Sequence, residues 1–145
     1  GDGTQKIKLE SLVNELGINS SVTFTGKIDN DKVPEYINMM DIVCLPSLSE
    51  SFGVSAVEAC ACGRPILATN VGGLKEIIFD DYNGFIIKQK SSEDIKLKII
   101  KIIGNEIQMM EFSKNARKLV LEKYSWVNNA KIMDNLYKKL VNIDK

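Results

Sequence analysis

The chain of 145 residues contains no histidine at all. That absence excludes Cys/His zinc sites and every histidine-based nucleophilic triad within it. Cysteine is scarce too: three residues, Cys44, Cys60 and Cys62, an odd number whose close pair is spaced C-x-C rather than C-x-x-C. This pattern reads as reduced thiols packed as small apolar residues, not as a disulfide framework or a redox motif. Net charge is also lacking, since 19 basic residues are matched by 19 acidic ones. A dominant nucleic-acid surface or a polybasic membrane patch is therefore not expected. No apolar run approaches the ~20 residues of a membrane span, and the start carries no signal peptide. No G-x-G-x-x-G lies between a strand and a helix, which removes a dinucleotide-dependent dehydrogenase.

What is present is enough for a single domain of ordinary size, because a composition 44% hydrophobic and 26% charged can fill a core and stay in solution. The chain opens on Gly1-Asp2-Gly3 without Met, as if inside a motif, and is expected to be part of a longer protein.

Periodicity predicts a helix from Thr4 to Leu16, with Leu9, Leu12, Val13 and Leu16 on one face and Gly17 as its left-handed cap. Short strands are predicted at Val22–Thr25, Asp41–Leu45, Pro65–Ala68 and Phe85–Ile87. Helices are predicted through Tyr36 and Met39 with Asp31 as the cap, from Val54 to Cys62 with Gly63 as the stop, and from Gly73 to Ile78. Three more close the chain, with Ile95, Ile99 and Ile102 on the first, Met109, Phe112, Ala116 and Leu119 on the second, and Trp126, Ala130, Met133, Tyr137 and Leu140 on the third. Short apolar strands joined by helices describe an α/β fold, a Rossmann-like parallel sheet with helices on both faces and a helical C-terminal end. Ligands of such sheets bind at the carboxyl ends of the strands.

Chemistry concentrates after the strand ending at Leu45, in Pro46-Ser47-Leu48-Ser49-Glu50-Ser51-Phe52-Gly53-Val54-Ser55-Ala56-Val57-Glu58. Gly53 lets the backbone approach a ligand, and a helix start there offers unpaired N–H groups and a positive dipole end to a phosphate. Glu58 stands among Val54, Ala56, Val57, Ala59, Cys60 and Ala61, where a carboxylate is costly unless paired or facing a wet cleft. It leans toward the helix start. Two readings stand side by side for it: a ribose diol bound by both oxygens, or a buried salt bridge to a base such as Arg64. Glu50 alone reads equally as a solvated or capping acid. The two acids flank one helix start, which suits two grips on one ligand better than a glycosidase pair.

Glu50-x7-Glu58 with Gly63-Arg64-Pro65 resembles the E-x7-E signature of the retaining family-4 glycosyltransferases of GT-B fold. Gly1-Asp2-Gly3, Phe24-Thr25-Gly26, Asp41 to Ser47, Gly72-Gly73-x-x-Glu76, Asn83-Gly84 and Tyr124-Ser125-Trp126 follow in that family's order, so the resemblance covers essentially the whole chain. It implies a single nucleotide-sugar-binding domain over residues 1–145, the C-terminal half of a GT-B enzyme that lacks its first strand and its acceptor domain. It also implies roles for single residues. Glu50 binds the donor sugar and is the catalytic acid of the signature, positioning sugar rather than attacking it. Ser51, Phe52, Gly53 and Val54 meet sugar and diphosphate; Glu58 holds the ribose; Lys27 and Ile28 wall the base; Gly1 and Gly3 line the nucleotide pocket.

The implied reaction is transfer of a sugar, with retention, from a UDP- or GDP-linked donor to a hydroxyl acceptor in polysaccharide or glycolipid synthesis. No cofactor and no metal are implied, since the family works without a D-x-D metal site. The acceptor, a glycan or lipid-linked molecule, would bind through the absent N-terminal domain. Basic residues that neutralise the diphosphate would lie upstream, so the chain alone is expected to be inactive. The enzyme is expected in the cytoplasm, peripheral to the inner face of the membrane. A non-catalytic binding relative and a nucleotide-sugar epimerase are the rival readings. Gly72-Gly73 is read as a tight strand-to-helix connection, Glu76 as structural, and Tyr124, Trp126 and Tyr137 as core packing of the terminal helices.

Overall fold

The computed structural model describes residues 2–143, with side chains as far as Val141. Its packing divides into two units, residues 1–33 and 34–145. In the first, α1 (Lys6–Glu15) ends at Leu16 and a left-handed Gly17, followed by a 3-10 turn at Asn19–Ser21. None of the α1 side chains is buried; Leu9, Leu12 and Leu16 of the expected apolar face are exposed. The strand expected at Val22–Thr25 is not formed. Val22 has extended angles (φ −124°, ψ 127°), but no strand pairs with it among the described residues. Beyond this segment the Lys27 amide donates to the Asp2 carboxylate at 3.1 Å. The following helix, α2 (Val33–Asn38), starts two residues beyond Asp31, which is therefore not its cap.

The second unit holds the sheet. Three parallel strands, β1 (Val43–Leu45), β2 (Ile66–Thr69) and β3 (Gly84–Ile87), lie in the order β1-β2-β3. Leu67 pairs with Cys44 on one side and Phe85 on the other. All four residues of β2 are buried, so the central strand is covered on both faces, as its unbroken apolar run requires. Between the strands run α3 (Val54–Ala61) and α4 (Leu74–Ile77). After β3 come α5 (Ser92–Ile103), α6 (Glu106–Lys123) and α7 (Trp126–Ile143).

Leu67, Phe85 and Ile87 pack with Ile102 of α5 and Phe112 of α6, the two phenyl rings meeting edge to face at 5.1 Å. Each large side chain buried this fully contributes about 1.5–3 kcal/mol. Ser91 caps α5 by accepting from the Asp94 amide, and Asn105 caps α6 by accepting from that of Gln108. Asn83, fully buried, donates to the Ile77 carbonyl and accepts from the Phe79 amide, both at 2.8 Å, closing the loop between α4 and β3.

The terminal helix corrects one expectation. Trp126 is 87% exposed and Tyr137 58% exposed, and Met133 and Leu140 are exposed with them. The core of this unit is filled by Phe112, Ala116 and Leu119 of α6, which leaves the apolar residues of α7 outside it. Among the described residues no helix is long and apolar enough to cross a membrane.

Candidate functional site

At the carboxyl end of the sheet the loops after β1, β2 and β3 are tied side by side. Thr69 Oγ1 donates to the Ser47 carbonyl at 2.6 Å, Gly73 N–H to that of Ser51 at 3.1 Å, and Gln89 Nε2 to that of Leu48 at 3.4 Å. The loop from Glu50 to Gly53 is thus pressed onto Gly72-Gly73. A Cβ at Gly72 would lie 1.5 Å from the Glu50 carbonyl oxygen, and one at Gly73 2.2 Å from that of Phe52. The glycine pair does more than shorten a connection: it lets one backbone rest on another.

Gly53 enters α3 in the left-handed region, φ +91°, with Leu74 and Ile77 of α4 packed where a side chain would begin. Its carbonyl accepts from the amides of Ala56 and Val57. The amides of Gly53, Val54 and Ser55 have no acceptor among the described residues, and no side chain caps the helix. Three N–H groups at the positive end of a helix form a seat for an anion. Glu50 is half-buried beside it, its Oε1 accepting from the Ser51 amide at 3.0 Å.

Glu58, half-buried one turn further on, opens onto a cavity of about 440 Å³ lined also by Phe52, Val54, Val57, Tyr124, Trp126 and Asn129. Among the described residues its carboxylate makes no ion pair and no side-chain hydrogen bond. Arg64, the base considered as its partner, donates from Nη2 to the Asn38 carbonyl at 2.7 Å. A half-buried acid facing an open cavity suits a hydroxyl-bearing ligand better than an internal ion pair.

Glu50, Ser51, Phe52, Gly53, Val54 and Glu58 are therefore brought together in the second unit. Gly3, Lys27 and Ile28 belong to the first, and Gly1 lies outside the described residues. Gly3 lines a cavity of about 290 Å³ with Thr4, Gln5, Lys6, Leu9 and Phe24. A Cβ at Gly3 would touch nothing, so no steric contact demands glycine there. Lys27 is exposed and Ile28 half-buried beyond the left-handed Gly26. The chain does contain one D-x-D, Asp29-Asn30-Asp31, whose residues are exposed in a turn closed by the Lys32 amide on the Asp29 carbonyl. Among the described residues no three potential metal ligands converge.

Sequence reasoning missed Tyr124, Trp126 and Asn129 as cavity residues. The signal available was Tyr124-Ser125-Trp126, read as packing. Burial pushes the Tyr124 phenol above its ordinary ionisation range, with the Glu76 negative charge adding to the effect. Burial likewise pushes the Cys60 thiol up to about 12.

The parallel α/β unit with its site at the strand ends is the C-terminal half of a GT-B fold. Aligned with sucrose-phosphate synthase from Thermosynechococcus elongatus, it gives a TM-score of 0.86 at 30% identity, over 99% of this chain and 36% of that one. Anabaena HepE, solved with UDP-glucose, gives 0.83 at 26% identity, over 94% of this chain and 38% of that one. Residues 1–119 match the family of glycosyl transferases group 1, and the chain belongs to that family. An uncharacterized glycosyltransferase of Methanocaldococcus jannaschii is 36% identical over 95% of the chain, which covers 35% of that relative. The chain spans about a third of the length of such curated relatives.

Proposed function

We propose that this chain is the donor-binding part of a retaining hexosyltransferase, gripping a UDP- or GDP-linked sugar for transfer to a hydroxyl acceptor in polysaccharide or glycolipid synthesis. One observation carries the reading: three amides at the start of α3, without acceptors among the described residues, stand between two acids, Glu50 on the loop and Glu58 one turn inside. An anion seat flanked by hydroxyl-binding carboxylates matches the chemistry of a sugar diphosphate nucleoside, with hydroxyls at both ends and phosphates between. The solved complex of HepE with UDP-glucose supports the donor class.

On this reading Glu50 orients the sugar hydroxyls, the backbone of Ser51, Phe52, Gly53 and Val54 with the amides that open α3 meets sugar and diphosphate, and Glu58 takes the ribose diol. The leaving diphosphate gains hydrogen bonds from amides fixed in advance, which lowers the barrier without reorganisation. The balancing positive charge comes from elsewhere in the intact protein, as does the acceptor site, so the 145-residue chain alone does not turn over. The intact enzyme works in the cytoplasm, against the inner face of the membrane where a lipid-linked acceptor would be met.

The test is donor turnover by the intact protein. Glu50→Ala should lower kcat by about 100-fold while UDP or GDP still binds within about twofold, since a misplaced sugar costs orientation. Full turnover by that variant would sink the assignment.

A further inference from the structure

We propose that Tyr124 is a positioning residue for the donor loop, holding Phe52 by edge-to-face pairing so that the Glu50–Gly53 backbone keeps the shape the donor sugar needs. The inference rests on the reading of that loop as the donor grip. The two rings lie 6.0 Å apart between centroids at 80°. Elsewhere the Glu50–Gly53 backbone rests on Gly72 and Gly73, and Gly53 packs against Leu74 and Ile77. The Phe52 ring itself is 53% exposed. Nothing in those backbone contacts restrains the side of the loop that carries the ring; Tyr124 does.

Tyr124 can act as a fixed point because of where it sits. It ends α6, its amide donating to the Val120 carbonyl at 2.9 Å. Phe112, Ala116 and Leu119 seat α6 in the core, and Arg117 donates to the Ala61 carbonyl at the far end of α3. The same helix thus grips α3 at its last carbonyls and, through Tyr124, the loop that leads into it. Tyr124 also shares the wall of the Glu58 cavity with Phe52. The phenol stays protonated through the neutral range, because burial and the nearby Glu76 carboxylate oppose its ionisation. Edge-to-face pairing is worth about a factor of 2–10 in an equilibrium, enough to bias a loop between two shapes.

The experiment compares Tyr124→Leu and Tyr124→Phe in the intact protein, following kcat with nucleotide-sugar, affinity for UMP and GMP, and thermal melting. Tyr124→Leu should lower kcat about 10-fold, with monophosphate affinity within about twofold, because those probes carry no donor sugar for the loop to orient. Tyr124→Phe keeps the ring and should restore kcat. Unchanged kcat in Tyr124→Leu, equal loss in both variants, or a parallel fall in monophosphate affinity would each overturn the proposal. If Tyr124→Leu does not fold, Phe52→Leu carries the test: it should show the same 10-fold loss, and no loss would overturn the proposal. Glu50→Ala run alongside separates the two ideas. If Glu50→Ala is inactive while Tyr124→Leu is normal, only the positioning role fails; if Glu50→Ala is fully active, the donor-loop reading itself fails.

Discussion

The carbonyl oxygen of Glu50 occupies the space that a side chain on Gly72 would need, 1.5 Å from where its Cβ would stand. The acid that begins the signature is therefore held by a glycine more than twenty residues later in the chain, through backbone alone. Gly72 is also at φ +46°, which L side chains rarely adopt.

Gly72→Ala should push the Glu50 loop off its support. A displacement near 1 Å at a positioning group can cost about 100-fold in rate, and a drop of that order in kcat is expected in the intact protein, measured by donor consumption. A loss of less than twofold would mean that the loop position does not matter to turnover.

Asn83→Ala should destabilise the fold without touching the site. It strands the Ile77 carbonyl and the Phe79 amide, each now bonded at 2.8 Å to a fully buried side chain. Leaving two such groups unpaired costs roughly 2–4 kcal/mol. Urea unfolding should show a lower midpoint with an unchanged slope.

Cys60 should resist alkylation in the folded protein. Burial raises its thiol from an ordinary 9.0 to about 12, so at pH 8 the thiolate fraction is on the order of 10⁻⁴. Iodoacetamide followed by peptide mapping should label Cys60 only after unfolding. The linkage has a definite sign. Below pH 9 the thiol is protonated in both states and contributes no pH dependence. Above pH 9 the unfolded chain loses its proton while the folded one keeps it, so stability falls as pH rises from 9 towards 12. Replacing Cys60 by Ala should flatten that slope.

Much of this was legible in the sequence where the cause is local. Gly17 and Gly63 end their helices in left-handed conformations, and the run Ile66–Thr69 is buried throughout. The spacing of Glu50 and Glu58 places both acids around one helix start, and both stand half-buried there, on either side of the first residues of α3. Features set by distant parts of the chain were not legible. Val22–Thr25 has strand composition, but a strand needs a neighbour, and none pairs with it among the described residues. The partners of Gly72, Gly73 and Tyr124 are the backbone of Glu50 and Phe52 and the ring of Phe52, which only the folded sheet and α6 bring near. Trp126 and Tyr137 are aromatic at helical spacing, a pattern that fits core packing, and their exposure depends on where α7 lies.

The central claim is that the carboxylate of Glu58, which has no ion pair among the described residues, holds the ribose of a nucleotide. Calorimetric titration of the intact protein with UDP and GDP, before and after Glu58→Ala, tests it most directly. Loss of a charge-assisted pair of hydrogen bonds is worth about 1.5–3 kcal/mol, so affinity for the preferred nucleotide should fall about 10- to 100-fold with the melting temperature of the free protein unchanged. An affinity that survives the substitution would contradict the account.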